Sequence, residues 1–362
     1  MASHHHNDKK QPVTGVLLLD KPMGLSSQQA VAKVKYLLKS PYHDSKKAGH
    51  TGTLDPMATG LLPICLGSAT KFAGFGLSAQ KSYTATIALG AMTDTGDKDG
   101  QIICRADTPV FSQSDLDDIA SRFLGAQWQV PPMYSALKKD GKKLYELARM
   151  GIDVERKPRA IVIDELSLTK RDDHHIDVSV SCSKGTYVRV LGQDIAKSLG
   201  SVGHLIALRR VATGGLSVDR AISLDDFIAL DFDERLKQLL PADSLLGAMP
   251  MLTLTMPHIE RLLLGQRLNI KALGIDEPTF FASSPKCPIS KANIPHVPIF
   301  PTSPRPNIPH ESTQQDFKVT ASEAMSAKQE CLVRIYNTNQ AFFGLAVLYL
   351  DGKLQPKAMG WF

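Results

Sequence analysis

"GHTGTLDPMATGLLP", running from Gly49 to Pro63, places a carboxylate, Asp55, in the middle of a turn built from glycine, threonine and proline. Proline pushes the residue before it toward extended geometry, so "LDP" is first of all a turn element, and taken alone the turn reading outweighs a functional one. The company of the aspartate raises the functional reading. His50 and Thr51 precede it, and "PMATGLLP" leads straight into an apolar run, so Asp55 is expected on a rigid but accessible turn. A carboxylate acting as nucleophile or base needs such a mount, and a cation to keep it ionised.

Arg189, in "SKGTYVRVL", is the candidate cation. Strand alternation there would put Tyr187 and Arg189 on one face and Val188 and Val190 on the other. Such an arginine is either at a sheet edge in water or paired inside, with little to choose between the two. Tyr83, in "KSYTATIALG", falls at a strand start among apolar residues. A core tyrosine with its hydroxyl at the rim is the commoner outcome for that pattern.

Outward from this centre, Gly15–Leu19 reads as a short buried strand that breaks at Lys21-Pro22 and Gly24. Ser26 or Ser27 can cap the following helix, in which Ala30, Val31, Val34, Leu37 and Leu38 recur at helical spacing. "SYTATIALGAMTDTGDKDGQIICRA" reads as two strands around a long acidic turn, and "SQSDLDDIASRFLG" as a capped helix. "HIDVSVSCSKGTYVRVLGQDIAKSLG" alternates and then switches period after Val188, with Val190, Ile195 and Leu199 on the buried side. Strands with interspersed helices and no βαβ rhythm predict an α+β fold on a mixed sheet.

The chain of 362 residues is long enough for two domains. It has no apolar run long enough to span a bilayer, and its polar start lacks the apolar core of a signal peptide. The five cysteines are widely spaced, with no C-x-x-C pair and no Cys/His cluster, which indicates neither zinc nor a disulfide framework and suits a reducing cytoplasm. A net charge of +6 permits an anionic partner without demanding one. Ser135–Ala160 gathers Lys138, Lys139, Lys142, Lys143 and Arg149 with three further cations, and composition alone favours a solvated face over a phosphate-binding one. The composition shifts near residue 245. Nine prolines between Pro278 and Pro309 mark residues 276–327 as an insertion expected to be disordered, and short β segments resume beyond it.

Five blocks then carry a resemblance: "GVLLLDKPMGLSS", "AGHTGTLDPMATGLLPICLGSATK", "KSYTATIALGAMTDTGDKDG", "PPMYSALKKDGKKLYELARMG" and "CSKGTYVRVLGQDI" with "GSVGHLIALRR". In order, and over Gly15 to Arg210, they resemble the bacterial tRNA pseudouridine synthase B family; beyond residue 250 the likeness is loose. The resemblance implies a pseudouridine synthase fold, α+β with a largely antiparallel mixed sheet and flanking helices, plus a small β-rich PUA-like C-terminal domain. The implied organisation is a disordered tail over 1–12, a catalytic domain over 13–245 with an RNA-contacting insertion at 131–160, and an RNA-binding domain over 246–362.

The implied reaction is isomerisation of uridine to pseudouridine at position 55 of the tRNA T-loop, in the cytoplasm. It needs no cofactor, metal or obligate protein partner, and the family expectation is a monomer. Carried over residue by residue, Asp55 matches the family's essential aspartate, Tyr83 its active-site tyrosine, and Arg189 the arginine that pairs with the aspartate. Lys21, Leu208 and Tyr187 match positions at the same pocket, and His50 the histidine that helps hold the loop from which the uridine is extruded. The resemblance also turns Lys138, Lys139, Lys142, Lys143 and Arg149 from a solvated face into RNA contacts. Two alternatives stand beside it: a guide-RNA-dependent catalytic subunit, disfavoured by "GLLPICLGSATK" and "TDTGDKDG", and a non-catalytic tRNA-folding chaperone.

Overall fold

The computed structural model describes residues 10–247, 249–274, 330–360 and 362. They belong to two compact units, Met1–Gly247 and Ala248–Phe362.

The first unit is organised by one ten-stranded sheet. Its long strands, in chain order, are β1 (Gly15–Lys21), β2 (Thr59–Leu66), β3 (Lys81–Leu89), β4 (Gly125–Gln129), β5 (Arg159–Lys170), β6 (His175–Cys182) and β7 (Gly203–Thr213); a two-residue strand, β8 (Ile222–Ser223), follows. Across the sheet they run β8-β1-β2-β7-β3-β6-β5-β4, with Ala48–His50 added beside β2 and Leu216–Ser217 beside β7. Neighbours are antiparallel except β8 with β1 and β2 with β7. This is the mixed, largely antiparallel α+β architecture expected.

Three helices pack on the sheet: α1 (Ser27–Leu37), α2 (Gln113–Phe123) and α3 (Val188–Ser198), of which α1 and α3 bear on the site. Ser26, one of the two residues expected to cap α1, does so reciprocally. Its hydroxyl accepts from the Gln29 amide at 3.2 Å, and the Gln29 side chain accepts from the Ser26 amide at 2.9 Å. Val31 and Val34 of α1, Leu116 and Ile119 of α2, and Leu191 and Ile195 of α3 join Leu17, Leu62, Ile87, Val178 and Leu205 of the sheet in one core.

Three local expectations change. Residues 11–12, assigned to a disordered tail, form a short parallel bridge to His43–Asp44, because the Gln11 amide donates to the Tyr42 carbonyl at 2.8 Å and the Val13 amide to the Asp44 carbonyl at 2.9 Å. A backbone bridge leaves no trace in a polar sequence; residues 1–9 lie outside the described residues. The segment read as two strands around an acidic turn holds three, since β3 ends at Leu89 and Ala91–Thr93 then pairs with Ile102–Arg105 as a separate hairpin. Finally, β6 ends at Cys182 and α3 begins at Val188, so Tyr187 and Arg189 are not on one face of a strand. Arg189 is on the buried face of α3 with Val188, Leu191, Gly192, Ile195 and Ala196, whereas Val190 and Leu199 are only half-buried. The period switch was legible, but the turn between strand and helix was not.

The second unit has its own five-stranded sheet. Met251–Leu254 (β9), the helix Met256–Leu263 (α4) and Leu268–Asn269 (β10) precede Glu330–Asn337 (β11), Phe342–Tyr349 (β12) and Lys353–Met359 (β13), in sheet order β9-β11-β12-β13-β10. Leu252, Ile259, Leu262, Val333, Ile335, Phe343, Leu348 and Leu354 form its core. The proline-rich insertion expected over 276–327 lies outside the described residues. Among the described residues no helix is long and apolar enough to cross a membrane.

Candidate active site

The site is laid out by strand register. Lys21 at the end of β1 is opposite Gly60 of β2, Gly60 is opposite Arg210 of β7, and Arg210 is opposite Tyr83 of β3. Laterally paired residues share a face of the sheet, so Lys21, Arg210 and Tyr83 rise in one row with a gap at the glycine. The gap is required. Gly60 has φ of +100°, and a Cβ there would come within 2.2 Å of the Arg210 carbonyl oxygen. Arg210 is 1% exposed; its Nε donates to the Leu61 carbonyl at 2.7 Å and its Nη2 to the Gly52 carbonyl at 3.1 Å.

The Asp55 turn is held at several points. The Ser27 hydroxyl, at the first residue of α1, accepts from the Leu54 amide at 2.7 Å and donates to the Leu54 carbonyl at 3.0 Å. The Gly24 amide donates to the Pro56 carbonyl at 2.8 Å, the Ala58 amide to the Asp55 carbonyl at 3.0 Å, and the Thr51 amide to the Pro63 carbonyl at 3.1 Å. The Gly52 amide donates to His50 Nδ1 at 3.3 Å, which leaves the proton of the neutral ring on Nε2. Burial, reinforced by the Arg210 charge, pushes the His50 pKa below its ordinary value, so this ring is neutral at neutral pH.

Arg189 reaches this turn from α3. Its Nε lies 3.0 Å from Asp55 Oδ2 and 3.7 Å from Asp97 Oδ2; Nη2 donates to the Tyr134 carbonyl at 2.7 Å and Nη1 to the Thr95 carbonyl. The arginine side chain is 5% exposed and the Asp55 side chain 37%, so the ion pair is closed on the cationic side and open on the anionic side. Burial raises the Asp55 pKa above the usual carboxylate value, and Asp97 adds to that rise; Arg189, and more weakly Lys21, act against it. Lys21 is itself fully buried, donates to the Pro22 and Leu25 carbonyls at 2.8 and 2.7 Å, and has its pKa pushed down by burial to about 8. Tyr83 packs on the core, and burial raises its phenol pKa.

Of the other expected residues, Tyr187 has a phenol that feels the charges of both Arg189 and Asp55. Leu208 is a core side chain of β7. Tyr187 precedes α3, and its amide and carbonyl are both bonded by the Gln129 side chain, at 2.8 and 3.2 Å. Lys138–Lys139 pairs with Lys142–Lys143 as a small hairpin, followed by the helix Leu144–Arg149. Lys143 donates to the Tyr145 hydroxyl at 3.2 Å, and Lys143 and Arg149 both lie over the Tyr145 ring. These cations are not brought to Asp55. The same segment nonetheless begins at the site, because Tyr134 holds Arg189 through its carbonyl and donates from its hydroxyl to Asp94 at 3.0 Å.

Three residues escaped the sequence reading. Asp97, buried in the acidic turn, accepts from the Thr95 hydroxyl at 2.6 Å and the Asp99 amide at 3.1 Å while facing Arg189. Arg210 and the buried Lys81 lie beneath Gly52. Among the described residues no group of His, Cys, Asp and Glu is placed to hold a metal ion. Chemically, then, the site offers an oriented carboxylate with one open side, a fixed guanidinium, a neutral imidazole and a phenol, on a wall richer in cations than in anions.

A model of the TruB family pseudouridylate synthases, N-terminal domain, matches residues 39–188. The tRNA pseudouridine synthase B of Psychrobacter cryohalolentis is 50% identical over 358 residues, which is 99% of this chain and 96% of that protein. The chain belongs to the tRNA pseudouridine synthase B family. The enzyme of that name from Psychrobacter arcticus is 47% identical over 99% of this chain and 96% of its own length. A solved Cbf5–Nop10–Gar1 complex contains a chain with the same fold, at a TM-score of 0.57 and 18% identity, covering 96% of this chain and 86% of that one. The segments of the family's blocks that carry Lys21, Asp55, Tyr83 and Arg189 fall on the ten-stranded sheet or on the loops and helix at its strand ends, whereas residues 131–151 hold the separate hairpin and helix between β4 and β5.

Proposed function

We propose that this chain isomerises uridine to pseudouridine at position 55 in the T-loop of tRNA, with Asp55 as the residue that acts on the nucleotide, Tyr83 as the surface for the detached base, and Arg189 as the partner of Asp55. The observation that carries the reading is the Asp55–Arg189 pair, buried on the guanidinium side and open on the carboxylate side. Uracil must leave C1′ through N1, turn, and rejoin through C5. The product then carries a proton on N1, and C5 has lost one. Addition to C6, attack at C1′ and proton removal from C2′ all start from an ionised Asp55, and Arg189 favours that form. Tyr83 offers a ring against the free base and a phenol oxygen for the C5 proton.

The target base has to be extruded from its loop, at a cost of a few kcal/mol. Recognition of the folded T-loop by shape, with phosphate contacts from Lys138, Lys139, Lys142, Lys143 and Arg149, offsets that cost. The second unit is assigned to tRNA as an additional RNA-binding domain. Cys65, Cys104 and Cys182 are free thiols, which suits action in a reducing cytoplasm, and the enzyme is taken to work as a monomer.

The test is an Asp55→Asn variant on a T-stem-loop RNA, followed by release of tritium from C5-labelled uridine and by filter binding. The expected result is RNA binding kept within a few-fold and no pseudouridine formed. Normal turnover by the variant overturns the role of Asp55. Turnover by the parent only with an added guide RNA replaces the stand-alone reading with the guided one, and RNA folding without any turnover replaces it with the chaperone.

A further inference from the structure

Arg210 is an unusual group for its position. It is a cation 1% exposed, and among the described residues none of the carboxylates within salt-bridge distance of an arginine or lysine belongs to it. A buried guanidinium has to be matched by hydrogen bonds or opposite charge. Its hydrogen-bond acceptors are the Leu61 carbonyl at 2.7 Å and the Gly52 carbonyl at 3.1 Å, and its third neighbour is Tyr83, directly opposite it in the β3–β7 register. The first two are neutral acceptors belonging to the strand and the loop that carry Asp55. The third is the one that can become an anion.

The surroundings of Tyr83 make that pairing consequential. Burial disfavours its phenolate, the charge of Asp55 disfavours it further, and Arg210 is the cation that opposes both. The charged groups that face the phenol from neighbouring elements are Arg210 of β7 and Asp55 of the loop, with the Cys182 thiol of β6 as a further titratable neighbour. Arg189, by contrast, acts on Asp55.

We propose that Arg210 is the positioning residue of Tyr83: it fixes the phenol oxygen, supplies the counter-charge when that oxygen is anionic, and ties this geometry to the Asp55 loop through Gly52. The site therefore has two separate cation–anion pairs, Arg189 with Asp55 and Arg210 with Tyr83. The inference rests on the reading of Tyr83 as the group that receives the C5 proton. In that step the phenolate oxygen takes the proton from C5, the electron pair of the C–H bond forms the C5–C6 double bond, the C6–N1 π pair moves onto N1, which takes up a proton from solvent, and the phenol later returns its own proton to solvent.

The experiment has two readouts. In the first, Tyr83 is replaced by a trifluorinated tyrosine, whose greater acidity brings its titration to a pH at which the protein stays folded, and the ring is followed by ¹⁹F NMR. Arg210→Lys, and Arg210→Gln where it folds, should move that titration to higher pH than in the labelled parent. In the second, single-turnover rates on a T-stem-loop RNA are compared in a double-mutant cycle. Arg210→Lys should slow the Tyr83 enzyme ~10²-fold, the size expected when a preorganised donor is removed, and slow the Tyr83→Phe enzyme several-fold at most. An unmoved fluorine titration with equal rate losses in both backgrounds overturns the proposal and leaves Arg210 as a structural bolt. If Tyr83→Phe alone keeps full rate, the reading of Tyr83 as proton acceptor fails, and the fluorine titration still decides whether Arg210 governs the phenol.

Discussion

Arg189 donates from Nε toward Asp55 Oδ2 over 3.0 Å while its terminal nitrogens hold the carbonyls of Thr95 and Tyr134. The guanidinium is thus fixed independently of the carboxylate it faces. A preset cation of this kind stabilises charge on Asp55 without having to reorganise when that charge changes.

The pH dependence of the reaction should report this pair. Asp55 acts ionised, burial raises its pKa, and Arg189 opposes the rise. Activity should therefore climb with pH through a limb displaced upward from the ordinary carboxylate value. Arg189→Gln removes the opposing charge, so the limb should move to still higher pH. Single-turnover rates across pH 4–9 check this; a limb that stays in place or moves down refutes the sign.

Much of this site was legible because its parts are local. The "GHTGTLDPMATGLLP" turn shows its stiffness in its own glycines and prolines, and Ser26 with Gln29 announces α1 within four residues. Arg189 was found but misplaced, since the residues after Cys182 fit a continued strand as well as the turn that Lys184 and Gly185 make. Asp97 and Arg210 were missed for a different reason. Their roles arise from contacts across the fold: Asp97 meets Arg189 of α3, and the row Lys21–Gly60–Arg210–Tyr83 is set by the register of four strands distant in sequence. No periodicity within one strand encodes which strand lies beside it.

Gly60 should be intolerant of a side chain. Alanine there would put a Cβ 2.2 Å from the Arg210 carbonyl oxygen and 2.8 Å from its amide nitrogen, at a φ of +100°. β2 and β7 must then separate, so Gly60→Ala should cost at least ~2 kcal/mol in urea unfolding. Gly24→Ala is the control. That residue also has positive φ, +89°, but nothing within 4 Å of the added carbon, so it should carry only the backbone strain of about 1–2 kcal/mol. Equal losses in the two variants would show that the close approach of β7 is not what fixes Gly60.

The basic hairpin should affect binding more than chemistry. Lys138, Lys139 and Lys142 are exposed, and the backbone of their hairpin pairs within itself rather than with the strands that carry the site. Replacing all three by alanine should weaken T-stem-loop binding and flatten the dependence of log affinity on log salt by ~0.7–0.9 for each phosphate that is no longer neutralised. The rate at saturating RNA should stay within about threefold, since no reacting group is touched. An unchanged salt slope would return these lysines to the solvated face that composition alone suggests.

Lys81 gives a prediction about stability. Its ammonium, buried beneath Gly52, donates to the carbonyls of Gly76, Leu77 and Ala79 at 3.0, 2.8 and 2.7 Å, the last turn of the short helix Ala73–Ser78 and the residue after it. Burial, helped by the nearby Arg210 charge, lowers its pKa from 10.5 to about 8. Below pH 8 both folded and unfolded chains hold this proton, and the contribution of Lys81 to stability does not change with pH. Between about 8 and 10.5 the unfolded chain holds the proton and the folded one releases it, so the contribution rises with pH. The stability of the parent relative to Lys81→Met should therefore be flat up to about pH 8 and grow from there to 10.5, with Lys21 titrating alike in both proteins and cancelling. Urea unfolding at pH 7, 8, 9 and 10 measures the difference. A difference that shrinks over that interval would mean that Lys81 keeps its charge in the folded protein through the three carbonyls, with the helix end acting as a stronger cation site than its burial allows.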